Sequence, residues 1–259
     1  MPAPPAGTTP QGMLLDIAQN AQSTASDRQP GTASCLHLTR WDHSPGDQVI
    51  ETDSIRHVNP DGSGLLLQQT TSFQPTPPAV TLFAAGELRS PLGEPIPTDA
   101  VRLSNAITAV TPPGSGSTAV VAVLLDLTSI RTLDLAERVT VVRVLAMQPS
   151  VTYLGRIPGR DGGTGHAFRF DDSSSDPIDV YLDPHTGDIL GYRLGGRTAL
   201  QPSTTTLILR RTRCDCPPLP RIRFVGAVLL INIPPSANCA TPPGVPTFYP
   251  ADTQRGTRA

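Results

Sequence analysis

The residues of this chain whose types could do chemistry are five histidines, four cysteines and a run of aspartates. His37 and His43 fall on one strand-like segment and His57 on the next. Paired strands would bring these imidazoles side by side, the arrangement a cross-strand metal site needs. No metal-ligand spacing supports that site, and His166 and His185 stand far off in sequence. Solvated strand positions are the simpler reading, and no metal is expected. Asp171, Asp172, Asp176, Asp179 and Asp183 crowd carboxylates onto one hairpin, but their spacing matches no calcium loop. They read as a solvated acidic edge. Serine catalysis requires a strained elbow or a serine held by a base. Gly62-Ser63-Gly64 and the 114–117 stretch are loop glycines instead. The glycines of 161–165 are followed by neither Gly-Lys-Ser/Thr nor a helix start, so they form no phosphate cradle. No catalytic residue and no cofactor is expected, and the chain does not read as an enzyme.

The cysteines, Cys35, Cys214, Cys216 and Cys239, allow three pairings. Cys214 and Cys216 are next-nearest neighbours, which suits neither a relaxed mutual disulfide nor a zinc ligand pair. Either all four are buried thiols, or each of these two bonds to a distant cysteine and ties Cys35 and Cys239 to the same region. An even count in a Pro-, Thr- and Ser-rich chain leans towards an oxidising compartment.

The elements that must position these residues follow from periodicity. Residues 1–11 read as a Pro/Ala/Thr tether. A short helix follows, with Met13, Leu14, Ile17, Ala18 and Ala21 on one face. Strand-like segments at 34–43, 48–59 and 64–73 are separated by turn-forming Ser44-Pro45-Gly46-Asp47 and Pro60-Asp61-Gly62-Ser63, the signature of a meander. The middle is helical. One helix opens at Thr98 or Asp99 and runs to Val110, and the 119–130 segment is helical despite its valines. The 134–147 segment carries a stripe of Leu135, Val139, Val142 and Leu145 that Pro149 ends. Short alternating segments over 151–194, punctuated by Gly, Asp and Pro, form a second meander, and 204–210 adds a strand. Strands and helices in separate blocks predict an α+β fold: a curved antiparallel sheet of two meanders with helices packed on one face, half-barrel-like. A single domain is expected over 12–211, then a Pro-rich, Cys-containing tail over 212–259 with one apolar strand at 222–233.

Composition sets bounds on partners. The net charge of −2 leaves no electrostatic footprint for nucleic acid or an anionic membrane. Every basic residue is Arg. Apart from Arg210, Arg211 and Arg213 they are scattered, which reads as codon usage in a GC-rich genome. The longest apolar run is about half the roughly 20 residues a membrane helix needs. No secretory signal is read at the start, since residues 1–12 lack a basic start and an apolar core.

A set of ordered motifs adds a resemblance. Leu14-Leu15-Asp16-Ile17-Ala18, Trp41, Asp61-Gly62-Ser63-Gly64 and Ile96-Pro97-Thr98-Asp99 come first. Leu145-Ala146-Met147-Gln148-Pro149-Ser150-Val151, Gly155, Gly165 and the stretch from Leu182-Asp183-Pro184-His185-Thr186-Gly187-Asp188 to Tyr192 follow. Together, over about 13–210, they resemble the extracytoplasmic domain of an uncharacterised actinobacterial membrane-anchored family often found beside extracytoplasmic-function sigma factors. The resemblance implies a lipoprotein-carrier-like half-barrel by analogy, attached through a stalk to a membrane helix. That anchor is absent here, so membrane contact is expected only through a segment outside this sequence. It implies a non-enzymatic extracytoplasmic sensor or binding domain. A lipid or other apolar ligand would lie in a groove between sheet and helices, lined by Trp41, Val101, Ile107, Leu135, Val139 and Val142. The alternatives are a protein–protein module with a filled groove, and a hydrolase with an unrecognised site.

Overall fold

The protein was analysed as a computed structural model that describes residues 8–24, 32–43, 49–71, 78–90, 92–158, 163–172, 175–195, 202–214, 221–225 and 228–232. For 209, 210, 212, 214 and the last two segments the backbone alone is described. The chain divides into two units, Met1–Cys214 and Asp215–Ala259.

Helix α1 (Pro10–Thr24) starts earlier than the apolar periodicity indicates. Thr9 accepts a hydrogen bond from the Gly12 amide through its Oγ1 at 3.0 Å, and Pro10 fills the first helical position, where its missing N–H costs nothing. The tether expected over 1–11 therefore ends before Thr9. Strands β1 (Ala33–His43), β2 (Val49–Val58), β3 (Gly64–Thr71) and β4 (Ala79–Phe83) follow. Helices α2 (Ala100–Val110), α3 (Ser117–Ile130) and α4 (Leu135–Ala146) make up the middle. Asp99 caps α2 by accepting from the Arg102 amide, and Asp134 and Glu137 close a capping box on α4. Strands β5 (Val151–Pro158), β6 (Thr164–Phe170), β7 (Ile178–Leu182), β8 (Ile189–Gly195) and β9 (Ser203–Cys214) complete the first unit.

The two meanders are one sheet. Its order is β4-β3-β2-β1-β9-β8-β7-β6-β5, antiparallel throughout and open, with β4 and β5 as edges. The joint is β9 against β1, a pairing beyond the reach of local sequence patterns. Asp42 and Thr204 are opposite one another there and hydrogen-bonded at 2.7 Å, yet stand 162 residues apart in the chain. Strand β4, which sequence reading leaves unassigned, adds the edge. In the second unit, the 222–233 stretch read as one strand is a hairpin, β10 (Arg221–Val225) paired with β11 (Val228–Asn232).

Helices lie on one face of the sheet. Helix α3 rests on β1, β6 and β7, α1 reaches β5, and α4 packs on α1 and α2. The space between is filled by Leu14, Leu36, Leu38, Leu103, Ile107, Leu124, Leu127, Val142, Leu145, Phe168, Phe170 and Val180, all buried. No helix makes more than isolated contacts with β2, β3 or β4.

Helix α3 (STAVVAVLLDLTSI) carries a single charge, Asp126, and is held at its ends by other elements. Its cap residue Gly116 has no side chain, and Asp172 from the β6–β7 connection supplies the acceptor. Its Oδ2 receives bonds from the Thr118 amide and hydroxyl, each 2.7 Å. A Cβ at residue 116 would lie 2.3 Å from that oxygen, so only glycine admits the carboxylate. At the other end Arg56 donates to the Ser129 carbonyl at 2.9 Å and Arg211 to the Thr128 carbonyl at 3.0 Å. Arg211 also reaches Asp188 at 3.4 Å, and Asp188 lies 3.7 Å from Arg138 of α4. Asp188 thus joins α4, the β7–β8 turn and β9.

Two outcomes test this frame. Replacing Asp188 by Ala leaves two buried guanidinium groups without their shared carboxylate and is expected to cost about 2 kcal/mol in urea unfolding. The Asp188→Ala, Arg138→Met double variant is expected to lose less than the sum of the singles, because they act on one network. Burial alone would raise the Asp172 pKa, but the Thr118 hydrogen bonds outweigh it and hold the carboxyl below the usual value. Its contribution is therefore complete above the unfolded value, about 3.9, and is lost as pH falls through the lower folded value. Asp172→Asn is expected to be less stable at neutral pH and to lose that part of its acid dependence.

Candidate functional site

The six residues expected to line a groove do not share one. Ile107, Val139 and Val142 are core residues, Leu135 packs at the core's margin, and Val101 is exposed on α2. Trp41 lies on the opposite face of the sheet. Strand β1 alternates regularly against β2, with Leu36 and Leu38 turned to the helices, so odd-numbered residues face away. The Trp41 indole N–H donates to Glu51 across the strand pair at 3.2 Å. The core around Ile107, Val139 and Val142 holds the protein's own side chains.

The chemical readings resolve in the same way. Among the described residues no three His, Cys, Asp or Glu groups converge as a metal site. His37 and His57 share the outer face with Cys35, but His37 turns to Asp53 at 3.5 Å, and Thr39 also donates to that carboxylate. The carboxylate stands between histidine and hydroxyl, so the imidazole does not reach the Thr39 oxygen. Tyr153 and His166 are bonded, Oη to Nδ1 at 3.0 Å, yet burial raises the tyrosine pKa and lowers that of the histidine. Neither shift activates a nucleophile. The aspartate run is divided among structural tasks. Asp172 caps α3, Asp179 pairs with Arg169 in two bonds of 2.7 and 2.9 Å, and Asp183 accepts from the His185 and Thr186 amides in its turn. Cys35 is disulfide-bonded, and the side chains of Cys214, Cys216 and Cys239 lie outside the described residues.

Two concave regions are formed by described residues. The larger, about 530 Å³, opens at the α3 N-terminus between Asp42, Thr118, Ala122, Ile178, Leu194 and Thr204. Several of its lining residues abut stretches outside the described set, and Asp42 is already occupied by Arg40 and Thr204. The smaller, about 160 Å³, lies in the wing of the sheet that no helix covers, lined by Arg56, Leu65, Leu66, Phe83 and Leu88. Its construction follows from the Asp61-Gly62-Ser63-Gly64 turn. Asp61 accepts from the Ser63 amide and hydroxyl, and Gly62 takes φ +77°, where glycine is favoured. The exposed carbonyls of Gly62 and Asp61 then accept from Leu88 and Gly86, both at 2.9 Å, which brings Leu88 over the sheet. At Gly64 a Cβ would meet the His57 carbonyl oxygen at 2.2 Å and Leu88 at 2.8 Å. The turn that sequence reading took as mere punctuation seats one wall of the cavity.

Arg56 is the polar group of this cavity. Burial lowers its pKa, with Tyr192 and Asp126 opposing the shift and Arg40 adding to it. Asp126 is raised by burial, with Arg56 pulling it back. The edge beyond is β4, Ala-Val-Thr-Leu-Phe, with no charge and no proline, and its Leu82 is exposed. Among the described residues nothing pairs with its outer side.

No family model matches the chain and no curated protein matches it. Among solved structures it is similar to MucB from the Pseudomonas aeruginosa MucA/MucB complex, at 11% identity, TM-score 0.33, over 78% of this chain and 56% of that one. A second MucB structure gives 12% identity, TM-score 0.35, and coverage of 85% and 63%. A LolA-superfamily protein from Nitrosomonas europaea gives 7% identity, TM-score 0.23, and coverage of 82% and 96%. The chain spans less than two thirds of either MucB chain, and likenesses at these values transfer no residue, ligand or partner.

Proposed function

We propose that this chain is a non-enzymatic, extracytoplasmic binding domain of a membrane-anchored regulatory protein, and that its partner is a protein docking on the β2–β4 wing. One observation supports the reading: the core between helices and sheet is packed apart from the opening at the α3 N-terminus, while among the described residues no helix covers the wing and nothing pairs with its edge strand. An edge strand without charge, proline or bulge is a ready template for an added strand. Natural sheets guard such edges unless something uses them. The disulfide at Cys35 supports an oxidising compartment. A lipid lying deeper than the opening at the α3 N-terminus would have to displace buried side chains such as Leu124 and Phe168, so the apolar-ligand reading has less support.

A photo-crosslinking residue at Thr81, exposed on β4, compared with one at Val101, exposed on α2, tests the proposal in the native host. The expected result is a discrete protein adduct from position 81 that is absent from position 101. Equal labelling at both positions, or an adduct at 81 that extracts into organic solvent, would sink it. Leu82→Lys is expected to reduce the adduct without altering the circular dichroism of the purified chain.

A further inference from the structure

Arg56 uses little of its hydrogen-bonding capacity. A guanidinium has five N–H donors. Among the described residues Arg56 makes one bond, from Nη1 to the Ser129 carbonyl, and its Nε is buried without a partner. No carboxylate of a described residue stands within ion-pair distance of it, so the charge sits beside apolar Leu66, Phe83 and Leu88 without a counter-ion. Its nearest charged influences, Asp126 and Arg40, are opposite in sign, and Arg40 is already paired with Asp42 at 2.7 Å. A mostly buried cation with spare donors is an unfavourable arrangement until an anion arrives.

We propose, resting on the protein-partner reading above, that the Arg56 cavity is an anchor site for a carboxylate borne next to an apolar side chain of the partner. The apolar group would enter between Leu66, Phe83 and Leu88, and the carboxylate would take the unused guanidinium donors. Size limits the choice of occupant. A cavity of about 160 Å³ is close to the volume that holds one six-carbon ring, roughly a leucine side chain and far less than a lipid acyl chain. Position agrees, since Phe83 is the last residue of β4, and a strand added to that edge would deliver its end to the cavity.

The test uses the full chain and three small probes, followed through the methyl NMR signals of Leu66 and Leu88. N-acetyl-leucine, with its free carboxylate, is expected to shift these signals saturably. N-acetyl-leucine amide is expected to bind about tenfold or more weakly, the discrimination a charge-assisted hydrogen bond gives. Octanoate is expected to bind no more tightly than N-acetyl-leucine. Arg56→Met should erase the preference for the acid over the amide. Because Arg56 also holds the end of α3, Leu88→Phe serves as the second variant: it fills the cavity, leaves Arg56 on Ser129, and should abolish all shifts while the fold persists. Equal binding of acid and amide, absence of saturable shifts, or tighter binding of octanoate overturns the proposal. These probes do not need the partner, so their failure is separable from failure of crosslinking at Thr81.

Discussion

Helix α3 is the constraint on which the rest of the structure depends. It is apolar along its length and buried beneath its neighbours, so its terminal amides and carbonyls have little water to turn to. It brings no capping side chain at its start and no basic residue in its last turn. The sheet supplies both: an anion at the N-terminus from Asp172, and cations at the C-terminus from Arg56 and Arg211, the signs that the helix dipole favours. These partners lie 54 to 83 residues away in sequence. The helix therefore has no stable existence apart from the assembled sheet, and the sheet's two halves are tied together through it.

The arginines that hold these ends could not be replaced by lysines without loss. Arg138 donates to the Leu133 and Thr186 carbonyls while lying beside Asp188, and Arg211 spans Thr128 and Asp188. Each serves two or three acceptors in different directions, which a planar fork can do and a single ammonium on a flexible stem does poorly. From the sequence, the absence of Lys is attributed to codon usage. It does not account for which arginines became buried. Those are the ones placed where orphan carbonyls of helix ends or turns converge.

Much of the fold was legible in the sequence, because it is written locally. The meander over 151–194 follows from alternation and turn residues, and α4 follows from its stripe and from the Asp134–Glu137 box. What escaped was written at long range or in short segments. Strand β4 is five residues after a Pro-rich stretch, too short for alternation to declare it. The union of the meanders rests on β1–β9 pairing, and no local pattern encodes which distant strand a strand will choose. Trp41 shows the same limit at the level of one residue. Its strand was readable, but its face depended on register, and a one-residue difference in register reverses every side chain. The candidate site was the least legible part. Arg56 looks like any strand arginine until the carbonyl of Ser129 and the wall of Leu88 are brought to it.

The inner face of the sheet explains why the helical layer stops where it does. One row of paired residues crosses it: Tyr153, Phe168, Val180, Tyr192, Thr206, Arg40, Thr52 and Thr70. From β5 to β8 the row is aromatic and aliphatic, and helices bury it. From β9 to β3 it turns to hydroxyls and a guanidinium, for which an apolar helix is a poor cover. The next inward row repeats the change, with Leu38 giving way to Ser54 and Gln68. A sheet that needed only to be stable would continue the apolar face or shorten. This one extends three strands past its helices, keeps an uncharged edge, and carries an under-satisfied arginine into the extension. Those features are the ones on which the proposal of a partner completing the wing rests.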